Sequence, residues 1–104
     1  MKRGEVRWYK FQAPDKNRPV LILSRDSVIG YLNEITVAPV TTTIRDIPSE
    51  VILSENDGMP RECVVNCDHI QTIPKHKIGN MVASLNSSKM KDVNEAVQFA
   101  IGMN

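Results

Sequence analysis

The run Val20-Leu21-Ile22-Leu23 is apolar at four consecutive positions and follows directly on Arg18-Pro19. Side chains along a strand alternate between its faces, so a strand that is apolar throughout must be covered on both sides. This places Arg18–Ser24 in the middle of a sheet and asks the rest of the chain for two coverings. Further strands are expected at Gly4–Phe11, rich in the β-formers Val6, Trp8 and Tyr9, and at Glu34–Thr41. Shorter ones follow at Ser49–Leu53, Glu62–Asn66 and Gly79–Leu85. Pro14-Asp15-Lys16-Asn17 and Glu55-Asn56-Asp57-Gly58-Met59-Pro60 have turn chemistry, and residues 25–33 read as a loop containing Gly30.

The tail changes period. Met90, Val93, Val97, Ala100 and Ile101 recur at helical spacing, with Asn86 or Ser87 as N-cap and Gly102 as the stop. The chain is therefore expected to be mainly β (α+β), a small, strongly curved, barrel-like sheet closed by one C-terminal amphipathic helix. No repeat, low-complexity tract or linker divides it, so residues 1–104 read as a single domain.

At 104 residues, with 41% apolar and 24% charged, the chain suits a globular domain with a real core. No apolar run approaches the roughly 20 residues of a membrane span, and the charged start Met1-Lys2-Arg3-Gly4-Glu5 leads into a strand rather than a signal peptide. A cytoplasmic location is expected. Net charge is only +1, but residues 1–25 hold seven bases (Lys2, Arg3, Arg7, Lys10, Lys16, Arg18, Arg25) against two acids. Such an edge steers anions, although a solvated charged surface has the same composition. Cys63 and Cys67 lack zinc-site spacing, and four residues apart on a strand they stand too far from each other for a disulfide. Both are expected to be reduced and at least partly buried.

The chemistry concentrates in Glu34-Ile-Thr-Val-Ala-Pro-Val-Thr-Thr-Thr-Ile-Arg45, where an apolar strand runs through Pro39 into the hydroxyls of Thr41, Thr42 and Thr43. Hydroxyls donate and accept without bringing charge, and the Arg18 fork adds donors suited to a phosphodiester. No phosphate loop, nucleophile elbow or metal-binding His pair is present. His76 lies in the basic turn Pro74-Lys75-His76-Lys77, whereas His69 follows Asp68 at a predicted strand end. Neighbours in a strand face opposite ways, so Asp68 does not by sequence alone orient His69. Arginine and threonine at one phosphate suit metal-free cleavage of RNA, whose 2′-hydroxyl is a nucleophile already beside phosphorus.

In chain order, Arg3-Gly4-Glu5-Val6, Arg18-Pro19-Val20-Leu21, Val37-Ala38-Pro39-Val40-Thr41-Thr42, Gly58-Met59-Pro60, Asp68-His69-Ile70-Gln71-Thr72 and Ile78-Gly79 resemble the MazF/PemK family of toxin endoribonucleases. The resemblance covers almost the whole chain. It implies a homodimer of SH3-like barrels with an added helix, cutting single-stranded RNA without metal or other cofactor and blocked by a cognate acidic antitoxin. The family's catalytic arginine and threonine fall on Arg18 and Thr41. Arg18 would stabilise charge on the phosphate and take part in proton shuttling, and Thr41 would hydrogen-bond the scissile phosphate. Arginine at its normal pKa is no conventional general base, so the proton route stays open. RNA contacts are expected from Lys16, Thr42, Thr43, His69 and Gln71.

Two departures stand out. The first loop, Pro14-Asp15-Lys16-Asn17-Arg18, is shorter than in many relatives and lacks their Gly-Ser-Glu. His69 replaces a frequent glutamine, and Gln71 replaces a basic residue. Two rival readings accompany the first: a member that binds RNA or antitoxin without cutting, and a gyrase-inhibiting toxin of the CcdB type. The latter relies on a tryptophan in its C-terminal tail, whereas the only tryptophan here is Trp8.

Overall fold

The computed structural model describes residues 1–11 and 17–103. Its strands are β1 (Glu5–Lys10), β2 (Asn17–Ile22), β3 (Glu34–Thr41), β4 (Glu50–Leu53), β5 (Cys63–Asn66), β6 (Gln71–Pro74) and β7 (Ile78–Ser84). A single turn of helix, α1 (Asp26–Ile29), follows β2, and α2 (Ser87–Ala100) ends the fold. The strands form one antiparallel sheet in the order β4-β5-β3-β2-β1-β7, with β6 beside the first half of β3. Among the described residues no ladder joins β4 to β7, so the curled sheet remains open. Register shifts in β1 at Val6/Arg7 and Arg7/Tyr9 supply part of the curl, because a bulge bends its strand and increases twist.

The two coverings demanded by β2 are both present. Leu21 and Leu23 join Val6, Ala38, Val40, Leu53 and Val65 in a larger core closed by Val93 and Ala96 of α2. Val20 and Ile22 face the other way, onto Ile29, Ile35, Val37 and Ile73. Val20, Leu21 and Ile22 are each 0% exposed. The helix begins where the sequence places it, with Asn86 Oδ1 accepting the Lys89 N–H at 2.8 Å, and it ends before Gly102 at φ +76°.

Two elements differ from the expectation. Residues 25–33 include α1, and Gln71–Pro74 is a strand. Ile73 is the sole fully buried residue of β6, so its apolar signal is a single side chain. Cys63 and Cys67 are free and buried. Cys67 has left the strand for a 3₁₀ turn, Cys67–His69. Burial, with a smaller contribution from the Asp68 carboxylate, pushes its thiol up to about 11, and burial also raises Cys63.

Pro39 explains how β3 serves two partners on one edge. β6 pairs with Glu34–Val37 and β5 with Val40–Thr41, leaving Ala38-Pro39 between the two ladders. A residue without an N–H is tolerated where a ladder is interrupted. The turn Cys67–His69 links β5 to β6 and so spans this gap.

Candidate functional site

β3 is the spine of the site. On one edge it pairs with β2 through Val20↔Pro39, Leu21↔Ala38 and Ile22↔Val37. Pro19 has no N–H, and the ladder starts only at Val20. The same register carried past that ladder sets Arg18 opposite Thr41, and directly opposed residues share a face. Arg18 is half-buried, pairs with Tyr9 on β1, and makes no side-chain hydrogen bond or ion pair among the described residues. On its other side Thr41 pairs with Val64.

After Thr41 the chain bends. Thr41 Oγ1 accepts the Thr43 N–H at 3.3 Å and lies 3.3 Å from the Thr43 carbonyl oxygen, to which its hydroxyl can donate. Both bonds are long, so a better acceptor can draw the hydroxyl away. Thr42 and Thr43 are exposed. The loop beyond is fixed by Glu50, whose Oε1 accepts the Arg45 and Asp46 N–H groups at 2.9 and 3.1 Å.

The other edge of β3 supplies His69 and Gln71, both exposed. Asp68 turns away from His69, accepting a 2.6 Å hydrogen bond from the buried Ser49 hydroxyl. The neighbour of the His69 ring is Asn66, with Nδ2 3.5 Å from Nδ1. Asn66 Oδ1 also accepts the Asp68 N–H at 3.0 Å and caps the turn. Asn66 is 5% exposed, and the sequence analysis did not single it out. Gln71 stands opposite Val37, four residues before Thr41 on β3, which is about 13 Å along the strand. Gln71 Nε2 donates to the His69 carbonyl at 3.4 Å.

The site residues therefore lie in three adjoining strips: Arg18 from β2, the threonines on β3, and His69 with Gln71 from the β5–β6 side. Such a layout suits an extended chain of phosphates and bases. Lys16 lies outside the described residues. His76 is exposed in its own turn, beside Lys75, whose Nζ donates to the Ile29 carbonyl at 2.8 Å. The basic N-terminal segment is partly spent on the fold. Arg3 donates to the Leu23 carbonyl and to Asn94, and Arg7 pairs with Glu5 at 2.7 Å.

A family model described as "PemK-like, MazF-like toxin of type II toxin-antitoxin system" matches residues 2–101. The chain belongs to the MazF/PemK family. Among its relatives, endoribonuclease MazF3 of Mycobacterium tuberculosis (strain ATCC 25618 / H37Rv) is 40% identical over 89 residues, 86% of each chain. Probable endoribonuclease MazF5 of the same strain is 38% identical over 95% of this chain and 91% of its own. Among solved structures, the Mycobacterium tuberculosis toxin MazF-mt6 superposes with a TM-score of 0.88 at 35% identity, covering 96% of this chain and 98% of its own. A mycobacterial endoribonuclease solved in complex with its cognate antitoxin has a TM-score of 0.90 at 26% identity, covering 100% and 97%. The two solved structures share the curled sheet and helix described above, and none of the relatives' names points to gyrase.

Proposed function

We propose that the chain is the toxin of a type II toxin–antitoxin pair, a metal-independent endoribonuclease that cuts single-stranded RNA in the cytoplasm. The observation that supports this reading is the β2–β3 register, Val20 against Pro39, which extended by two residues brings Arg18 level with Thr41 at the surface end of two buried strands. Family membership supports the same activity.

The chemistry follows from the residue types. The substrate's 2′-oxygen attacks phosphorus and forms the 2′-O–P bond while the P–O5′ bond breaks. The products are a 2′,3′-cyclic phosphate and a 5′-hydroxyl. One proton leaves the 2′-hydroxyl and one reaches the departing 5′-oxygen. The Arg18 guanidinium stabilises charge growing on the non-bridging oxygens, and the Thr41 hydroxyl hydrogen-bonds the same phosphate. Thr42, Thr43, His69 and Gln71 hold the flanking nucleotides, with Lys16 adding a phosphate contact.

Two partners complete the reading. A second copy docks on the apolar groove between α1 and the end of α2, which has a volume of about 730 Å³ and includes Val28 and Ile70. Around it Leu32, Ile101 and Met103 are 41%, 57% and 72% exposed, a patch that burial in a homodimer would remove from water. An acidic antitoxin blocks the basic, hydroxyl-rich strip on β2 and β3. The test is incubation of the purified protein with a long synthetic RNA in EDTA, followed by mapping of the ends. Discrete cuts sharing a short motif are expected; intact RNA after exposure to the folded protein would overturn the proposal.

A further inference from the structure

Beside Thr41 the sheet opens into a cleft of about 240 Å³ that the catalytic row does not use. Its construction follows from the register. Trp8 and Pro19 stand opposite each other on β1 and β2, and the next residue across, on β3, is Val40. These three share a face, which is the reverse of the one holding Tyr9 and Arg18. Met59 closes the bottom at 4% exposure. The rim is polar and solvent-facing, with the Asn17 amide, the Thr42 hydroxyl and the Arg61 guanidinium. Arg61 makes no side-chain hydrogen bond or ion pair among the described residues.

The wall that carries Met59 and Arg61 is held in shape before any ligand arrives. Ser54 Oγ accepts the Asn56 N–H at 3.2 Å, and Asp57 Oδ2 accepts the Ser54 N–H at 2.9 Å, a reciprocal cap on the turn Glu55–Asp57. Gly58 then reverses the chain at φ +95°, and a Cβ there would press on Ala83 Cβ at 3.2 Å. A preformed slot costs less to occupy than one that must order on binding.

We infer that this cleft is a nucleobase subsite, taking one base next to the phosphate held by Thr41. The inference rests on the endoribonuclease reading. A base has flat apolar faces and a polar edge. The slot matches that with an indole and a proline for the faces and with amide, hydroxyl and guanidinium groups for the edge. Sequence-specific readers of single-stranded RNA hold splayed bases in this way. Thr41 borders both the cleft and the Arg18 row, so the base in the slot sits beside the bond that breaks. Trp8, Asn17, Met59 and Arg61 thereby become determinants of which sequence is cut.

The test maps cut sites of wild type and Arg61→Ala on a random-sequence RNA pool. Arg61 is exposed, so its removal leaves the fold intact. The expected result is loss of base preference at one position flanking the cut, with cleavage of the preferred sequence about 10-fold slower. As an independent readout, Trp8 is the only tryptophan. Its emission should change on adding the all-deoxy form of the cut sequence, and the change should vanish when that one position is abasic. A motif unchanged in Arg61→Ala, or an emission change indifferent to every abasic position, overturns the subsite while cleavage by wild type stands. An unchanged motif with weaker antitoxin binding would give the cleft to the antitoxin and equally overturn it. If wild type leaves the pool uncut, the endoribonuclease reading fails and takes the subsite with it.

Discussion

Ser49 and Asp68 are 19 residues apart and joined by a 2.6 Å hydrogen bond from Oγ to Oδ2. Ser49 is 1% exposed, and its carbonyl also accepts the Cys67 N–H at 2.9 Å. The pair fastens the loop that follows Thr41–Thr43 to the turn that presents His69. The two edges of the β3 site thus share one polar anchor, buried on the Ser49 side and exposed on the Asp68 side.

Ser49→Ala is expected to lose about 1.5–3 kcal/mol of stability, the usual range for a hydrogen bond to a charged group. Urea unfolding checks this as a lower midpoint at unchanged slope. A loss of only a few tenths would mean that Asp68 finds water at no cost.

His69 is exposed at the far edge of β3, with its ring beside Asn66, and is proposed to hold a flanking base. His69→Ala is therefore expected to raise KM on the order of 10-fold, the scale of one base contact, with kcat within a few-fold of wild type. Steady-state kinetics separate the two. A kcat fallen 100-fold with KM unchanged would make His69 a proton-transfer group instead.

The Cys67 thiol, pushed up to about 11, stays neutral in the folded protein. The unfolded chain loses that proton near the ordinary value of 9.0, so between these values the folded state binds more protons and stability falls as pH rises. Thermal melts at pH 8 to 11 should show this alkaline loss, and Cys67→Ser should reduce it. Native protein at pH 8 should resist iodoacetamide at both cysteines and react at both once unfolded.

Ile101 lies at the end of α2 and is 57% exposed, so a charge there leaves the core untouched. The proposed homodimer is expected to give way to monomer in sedimentation equilibrium on Ile101→Asp, with the circular dichroism of the fold retained. A dimer of unchanged affinity would place the partner on another face.

Where the sequence carries a strong period, its reading and the structure agree. β3 runs from Glu34 to Thr41 as expected, and Asn86 caps α2. The weak elements were hidden for physical reasons. α1 is one turn without a side-chain cap, and β6 buries Ile73 alone among residues that look like loop. Arg18 and Thr41 stood out by residue type, yet their opposition depends on register, which alternation alone does not set. The Asn66–His69 and Ser49–Asp68 contacts depend on a 3₁₀ turn that no periodicity announces. Lys16, in the shortened first loop, lies outside the described residues.

The most direct test of the Arg18–Thr41 centre is single-turnover cleavage, in EDTA, of a short RNA bearing the mapped site. Wild type is compared with Arg18→Ala, and thermal melts of both confirm the fold. The expected result is that Arg18→Ala is slower by about 10²–10³-fold, the scale of removing a key transition-state donor, with wild-type products ending in 2′,3′-cyclic phosphate. A folded Arg18→Ala protein that cuts within a few-fold of the wild-type rate would contradict it.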